Sequence, residues 1–533
     1  MKRSSILVLA VFLAWGWAAP AFAIDFTIRG AWQFSFDYIN GGSFMGKTRS
    51  GHQTIGQQWA AVRQQRDNFE AMQRLHLQLN AKASDYLSGT LFLEIGEQRW
   101  GQASSGGALG ADSSSIIKVK QAYLDWGLPD TALKVRMGIQ GASLPGFAME
   151  SNVLVDDVAG ITASYGISKN VAVTGFWYRL LNDNYVDKTV PGRDGYMDNF
   201  DLFGLIVPLS FDGLKLTPWG MAGGLGPNSI DFKFRKMADG SGGEQFYLGQ
   251  NPNPNQGIDG QQLRDGLYPA AFTTGRSKNI LSDEYSTLWW GGLTGKWTTL
   301  EPFRLSFDFT YGSVDHNREY LNRHGWFGML LAEYAMDWGL PGLYGWYMSG
   351  DDDNPHNGSE RMPYLSTTNS WRNTLSTFGF RGNPIIGGGK GEINVNPTGT
   401  WGAGVRIRDF KPWDISSLSH TLVFNVFGGT NSPKMANYIT GRHGDKVDGG
   451  RNLFRNNTDF NSFGTYLTTA DSGMEVNIDT RWKPDDNLTF YLNTGYIHLW
   501  LNDDVWGRYG DQKGKTLNYK DAWEASLNIV YSF

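Results

Sequence analysis

The chain contains no cysteine, which excludes disulfide frameworks, thiolate metal sites and cysteine nucleophiles together. Charged residues are only 19% of the total. Past the N-terminus no apolar run reaches the ~20 residues that a membrane-crossing helix needs, so a polytopic helical membrane protein is excluded. Histidines are few, 8 in 533 residues, and show no metal-ligand spacing. Basic residues are not in excess either: 47 Lys and Arg against 52 Asp and Glu give a net charge of −5, where a nucleic-acid binder shows a basic footprint. There is no Gly-x-Ser-x-Gly elbow. Gly387-Gly388-Gly389-Lys390-Gly391 lacks the Ser or Thr and the strand–helix setting of a phosphate loop. Asp351-Asp352-Asp353-Asn354 with Glu360 fails Ca²⁺-loop spacing because of Pro355, and reads as a solvated acidic loop. No catalytic set, metal or cofactor is expected.

What the chain does have is glycine, 68 residues, and aromatics, 14%. Both are distributed in a period of two. Phe26, Ile28, Gly30, Trp32, Phe34, Phe36 and Tyr38 alternate with Asp25, Thr27, Arg29, Gln33, Ser35 and Asp37. The same dyad recurs at 75–81, 303–311, 401–407, 474–482 and 523–533. Successive strand side chains point to opposite faces, so each segment is apolar on one side and polar on the other. The sequence offers no helices to cover so many apolar faces, and lipid is the simpler cover.

Punctuation sets the topology. Short Gly-, Pro- and Asp-rich turns fall near 82–85, 127–130, 166–169, 210–213, 298–302, 339–342, 410–417 and 483–486. Long polar stretches alternate with them, at 39–71, 97–115, 141–157, 180–199, 223–285, 313–324, 350–399, 429–471 and 498–520. Short turns on one side and long loops on the other describe a transmembrane antiparallel β-barrel of about 18 strands, 16 being the nearest alternative, with its short turns in the periplasm. The domain plan is a signal peptide over 1–23, built from Lys2, Arg3, an apolar run and Ala21-Phe22-Ala23, followed by one barrel domain over 24–533. Cleavage would remove two positive charges and no negative ones, taking the net charge to −7. With no plug domain ahead of the first strand, a plugged receptor barrel is not expected. Trp126, Trp297, Trp338, Trp413 and Trp482 all lie within a few residues of short turns, as an aromatic girdle at the headgroups requires. Trp126 is out of phase with an inward-facing Lys118 and Lys120, so a bulge is expected between them.

The last strand, Trp523 to Phe533, closes in Tyr531-Ser532-Phe533. This ending resembles the C-terminal signature of Gram-negative outer-membrane barrels. The resemblance implies that Tyr531 and Phe533 are read by the barrel-assembly machinery, and that lipid and lipopolysaccharide surround the protein.

On the lumen side, Arg74, Lys118, Lys120, Lys134 and Arg136 cluster on neighbouring strands, with Glu94 between them, and Arg406 and Arg408 face the lumen from elsewhere. The stretch 141–157 carries Glu150, Asp156 and Asp157. Its position and its Pro145-Gly146-Phe147 resemble the constriction loop of trimeric general porins, in which loop acids oppose a basic ladder on the wall. The whole chain, with its repeated Trp-Gly-Leu-Pro hairpin bases and its Tyr-Ser-Phe end, resembles the homotrimeric porins of sulfate-reducing (Desulfovibrio-type) bacteria. That resemblance implies a homotrimer in the outer membrane. The function expected is passive diffusion of small hydrophilic solutes and ions, filtered by size and charge; the alternative is a channel specific for an oxyanion, carboxylate or sugar. The basic wall argues for anions and the net negative charge for cations at the mouth.

Overall fold

The computed structural model describes residues 24–40, 68–103, 106–110, 117–182, 199–226, 232–236, 244–248, 263, 266–270, 284–365, 398–439 except 414, 466–506 and 521–533. The segment 1–23 and the glycine-rich 387–391 lie outside these residues. One large antiparallel sheet dominates. Its first strands are β1 (Asp25–Asn40), β2 (Asn68–Ser84), β3 (Leu87–Arg99), β4 (Ile117–Gly127), β5 (Leu133–Ser143), β6 (Val155–Gly166) and β7 (Ala172–Asn182). Next come β8 (Asn199–Ile206, resuming as Leu209–Phe211), β9 (Leu214–Leu225), β10 (Ser286–Trp297), β11 (Phe303–Asp315), β12 (Arg323–Tyr334) and β13 (Leu340–Met348). The last are β14 (Thr400–Phe410), β15 (Leu418–Gly429), β16 (Ser472–Asp485), β17 (Leu488–Trp500) and β18 (Ala522–Ser532). The two pieces of β8 both pair with β9 and are separated at Pro208, which has no N–H to give the ladder. Counting them as one strand, the sheet has the eighteen strands expected, and the interruption leaves its topology unchanged.

β1 pairs with β2 on one side and with β18 on the other, so the sheet closes and has no edge. The seam is finished by Phe533: Gly30 N–H donates to its carbonyl at 2.9 Å and Phe533 N–H donates back to Gly30 at 3.0 Å. The Phe533 ring lies where a side chain on Gly30 would be. The bulge anticipated in β4 is also present. Phe92 pairs with Gln121 but Leu93 with Val119, leaving Lys120 as the extra residue. Lys118 and Asp125 thereby share the lumen while Trp126 faces out, 40% exposed.

Polarity is inverted relative to a soluble protein. Phe26, Ile28, Phe203, Leu293, Phe309, Leu330, Leu343 and Val405 stand exposed on the outer wall. Ser35, Arg74, Glu94, Gln140, Asp308, Glu333, Arg406, Asn425, Glu475 and Asn528 are buried inside. Trp297, Trp338, Trp413 and Trp482 join Trp126 at the short-turn rim and keep two-fifths or more of their surface exposed. Tyr531 and Phe533 are outward-facing beside the seam. Among the described residues no helix is long and apolar enough to cross a membrane; the strands do so.

One prediction follows from the seam. Gly30→Val places a side chain where the Phe533 ring sits, and the strand ladder holds both backbones in place. The folded band in unheated gel electrophoresis should fall several-fold against wild type. Gly89→Val on β3, where the nearest atom to an added side chain is 4.0 Å away, should leave that band unchanged.

Candidate functional site

The lumen has two unlike halves. From β7 to β13 many inward positions are apolar: Phe176, Tyr178, Phe200, Leu202, Trp219, Met221, Leu288, Trp290, Phe327, Met329, Leu331, Tyr344 and Trp346 are all buried, with polar Thr217, Thr294, Ser306, Asp308 and Thr310 among them. They are covered from within by three loop segments. Residues 144–154, between β5 and β6, bring Leu144, Met149, Val153 and Leu154. Residues 263 and 266–270 bring Leu263, Leu267 and Tyr268, and 349–365 brings Met362 and Leu365. The loops are joined to one another, with Leu365 N–H donating to Val153 O at 2.9 Å and Tyr364 N–H to Gly266 O at 3.1 Å.

Two buried charges pin this assembly to the wall. Asp308 on β11 accepts the backbone N–H groups of Phe147, Ala148 and Met149 at 2.8, 2.9 and 2.9 Å, and also the Thr294 hydroxyl. Three successive amides on one carboxylate form an anion nest. Arg323 on β12, with no exposed surface, does the converse. It donates to the carbonyls of Arg361, Tyr268 and Met362 at 2.9, 3.0 and 2.9 Å. Trp290 Nε1–H adds a bond to Pro363 O at 2.9 Å. The loop after β5 is thus anchored on β11, six strands further round the wall.

The other half, β14–β18 with β1–β5, presents mostly polar side chains. Glu94 is the hub of the basic cluster. Arg74 Nη1, His76 Nε2, Lys118 Nζ and Lys120 Nζ lie 3.2, 3.0, 3.3 and 3.8 Å from its carboxylate. Nearer the short turns Arg136 grips Asp125 through two bonds of 2.7 and 3.0 Å and stacks 4.0 Å over the Tyr123 ring. Lys134 is exposed. It borders a recess of about 370 Å³ shared with Asn80, Lys82, Asp125 and Arg136. Arg406 and Arg408 are brought together elsewhere, both on Glu333, at 2.7 and 3.2 Å.

The acidic residues are not arranged as the loop resemblance implied. The inner loop spans 144–154, and Asp156 and Asp157 belong to β6. Asp157 meets Lys120 at 3.6 Å and accepts a 2.7 Å bond from Gln121 at the strand top. Their polarity suits a loop, but they pair in register with Ala142 and Gly141. Glu150 alone is on the loop. It keeps solvent access, and the surrounding protein raises its carboxyl pKa by desolvation. The basic cluster is balanced chiefly by Glu94 on the wall rather than by loop acids. Asp308, Thr294 and Arg323 were missed as anchors. The one sequence signal was the loss of alternation at Phe327-Gly328-Met329-Leu330-Leu331, which leaves both faces apolar.

Asp351 is likewise structural: Ser359 and Tyr466 donate to its two oxygens, the latter at 2.7 Å. Among the described residues no group of acidic and histidine side chains is arranged to hold a metal ion. His316, just past β11, latches loop 266–270. Its Nδ1 lies 2.6 Å from Ser286 Oγ and its ring stacks on Tyr268 at 4.3 Å. Burial pushes its pKa down from 6.5 to about 4.

Two outcomes test these anchors. Asp308→Ala strands three amides, each bond being worth about 1–3 kcal/mol. Chymotrypsin should then cut after Phe147, a site protected in the wild type, as read by fragment masses. For His316, the latched state binds fewer protons than the unlatched one between pH 6.5 and about 4. The latch therefore weakens as pH falls through that window and levels off below it. Hydrogen exchange at 266–270, corrected for intrinsic rate, should quicken from pH 7 to pH 5 in wild type and lose that dependence in His316→Gln.

No family model and no curated protein matches the chain. Solved structures similar to it include Pseudomonas aeruginosa OccK9 (OpdG), 11% identical, with 96% of this chain and 98% of that one covered and a TM-score of 0.48. Pseudomonas aeruginosa OccK11 (OpdR) is 12% identical with 96% of each chain covered and a TM-score of 0.47. The Pseudomonas aeruginosa outer membrane protein opdK is 10% identical with 95% and 99% covered and a TM-score of 0.45. Likenesses of this size carry no argument about what this chain does.

Proposed function

We propose that the protein is an outer-membrane channel for small hydrophilic anions, a selective pore rather than a general diffusion pore. The observation that supports it is the unequal filling of the lumen. Three mutually bonded loops cover the apolar wall from β7 to β13, and the charged wall of β1–β5 lies on the opposite side. A solute following that wall passes Arg74, Lys118 and Lys120, and nearer the short turns Lys134 and Arg136. Such a path favours a carboxylate or oxyanion over an apolar solute or a cation, because fixed charges in a narrow, low-dielectric passage act strongly. The apolar outer belt and the rim tryptophans support a lipid bilayer as the surroundings. A signal peptide, assembly through Tyr531 and Phe533, lipopolysaccharide contact and a homotrimer belong to the same proposal. The mass of the detergent-extracted complex tests the trimer.

The test of selectivity is single-channel recording in a planar bilayer under a KCl gradient. Wild type should give ohmic steps with a reversal potential on the chloride side. Glu94→Gln removes the carboxylate shared by Arg74, Lys118 and Lys120. It should raise the anion-to-cation permeability ratio by roughly two- to fivefold. Lys118→Gln with Lys120→Gln should move the ratio the other way. A folded, inserted protein without steps would sink the channel reading.

A further inference from the structure

A second group of cations lies on the wall opposite the Glu94 cluster. Lys215 on β9 and Lys296 on β10 are direct cross-strand partners. Both have the parity of the buried lumen residues Thr217 and Thr294, while Trp297 faces outward. Directly opposed residues have backbones about 4.5–5.5 Å apart, and like charges in that relation are destabilising. Arg304 stands next to them on β11, two residues below Ser306, the cross-strand partner of Lys296. It shares the lumen parity of Ser306 and Asp308. Lys215 is exposed, and Lys296 and Arg304 are partly so. All three lie within a few residues of the short turns at 211–214 and 297–303.

No ion pair is formed by any of the three among the described residues. Glu333, which faces Arg304 across the ladder, is instead held by Arg406 and Arg408. The nearby turn carboxylates Asp212 and Glu301 make no ion pair with the arc. The contrast with the rest of the lumen is informative. Arg74, Lys118, Lys120, Arg136, Arg406 and Arg408 all have a carboxylate within 4.0 Å. Lys134 makes no ion pair either, but among the described residues the arc on β9–β11 groups three such cations on adjacent strands, none with a carboxylate within 4.0 Å.

We infer that Lys215, Lys296 and Arg304 form a second anion site at the short-turn mouth, separate from the Glu94 cluster, that takes a compact dianion from solution. Two lysine ammonium groups supply point charge, and the arginine supplies a planar fork for two oxygens. A dianion relieves the repulsion between the paired lysines, whereas a monovalent anion compensates only part of the charge. This inference deepens the channel reading and rests on it for its role in permeation. The geometry fits an oxyanion such as sulfate and a short dicarboxylate such as malonate by the same chemistry.

The test separates the site from the channel. Equilibrium dialysis of labelled sulfate, and of labelled malonate, is run on the detergent-purified full chain. Wild type is compared with Lys215→Gln/Lys296→Gln/Arg304→Gln and with Lys434→Gln as a control, a lysine paired with Asp353 away from both the arc and the Glu94 cluster. The triple variant should bind at least roughly tenfold more weakly, with the control still occupying the arc. The single variant Lys215→Gln is measured alongside, so that a folding failure of the triple variant does not decide the matter. In bilayers, sulfate added from one side should reduce the current of wild type and of Lys434→Gln, and the triple variant should lose that one-sided effect. Equal binding by wild type, single and triple variants overturns the site and leaves the channel standing. Binding through the arc by a protein that never conducts overturns the channel and leaves the site. Sulfate binding without malonate binding identifies an oxyanion site, and the reverse a dicarboxylate site.

Discussion

Hydrocarbon offers no hydrogen bonds, and the architecture follows from that single constraint. Every strand amide must be paired within the protein, so the sheet has to close. It does so where β1 pairs with both β2 and β18. Closure then decides what each alternate side chain meets, because the pleat sends one set to lipid and the other to the lumen. It also explains why Gly30 tolerates no side chain: the Phe533 ring covers the seam at the point where the last backbone bonds of the ladder are made.

The closed wall is wide enough to need internal filling, and the chain fills it unevenly. A loop entering the lumen carries backbone amides and carbonyls that require partners as surely as those in the bilayer. Asp308 answers the amides of 147–149 and Arg323 answers the carbonyls of 268, 361 and 362. Each buried charge is met by several backbone dipoles, which offset the cost of taking it out of water. The apolar side chains of the loops then cover the apolar wall of β7–β13, which leaves the charged wall of β1–β5 on the far side of the plug.

Much of this was legible in sequence wherever one face met lipid and the other water. The alternation at Phe303–Tyr311 and the turn chemistry placed strands and loops within a few residues of where they lie. The phase conflict of Lys118 and Lys120 with Trp126 called for a bulge on this strand, and it lies at Lys120 itself. Legibility ended where that contrast ended. Over Phe327–Leu331 of β12 both faces are apolar, lipid outside and plug inside, so the period of two vanishes there. Asp156 and Asp157 read as loop because nothing in a short sequence window reveals that they sit in register with β5. The tie between Asp308 and Phe147 spans 161 positions and is made to backbone, so no side-chain pattern announces it.

That last feature bears on what the barrel can vary. Because both pins hold backbone, loop 144–154 does not depend on the side chains of residues 147–149 for its tie to β11. Glu150 is solvent-accessible and lies on the loop that Asp308 fixes. Charge at that position can change without moving the loop, whereas a change of charge at Glu94 removes a carboxylate shared by Arg74, Lys118 and Lys120. In the channel proposed above, the wall would therefore set the sign of the field across the passage, and the loop would trim it.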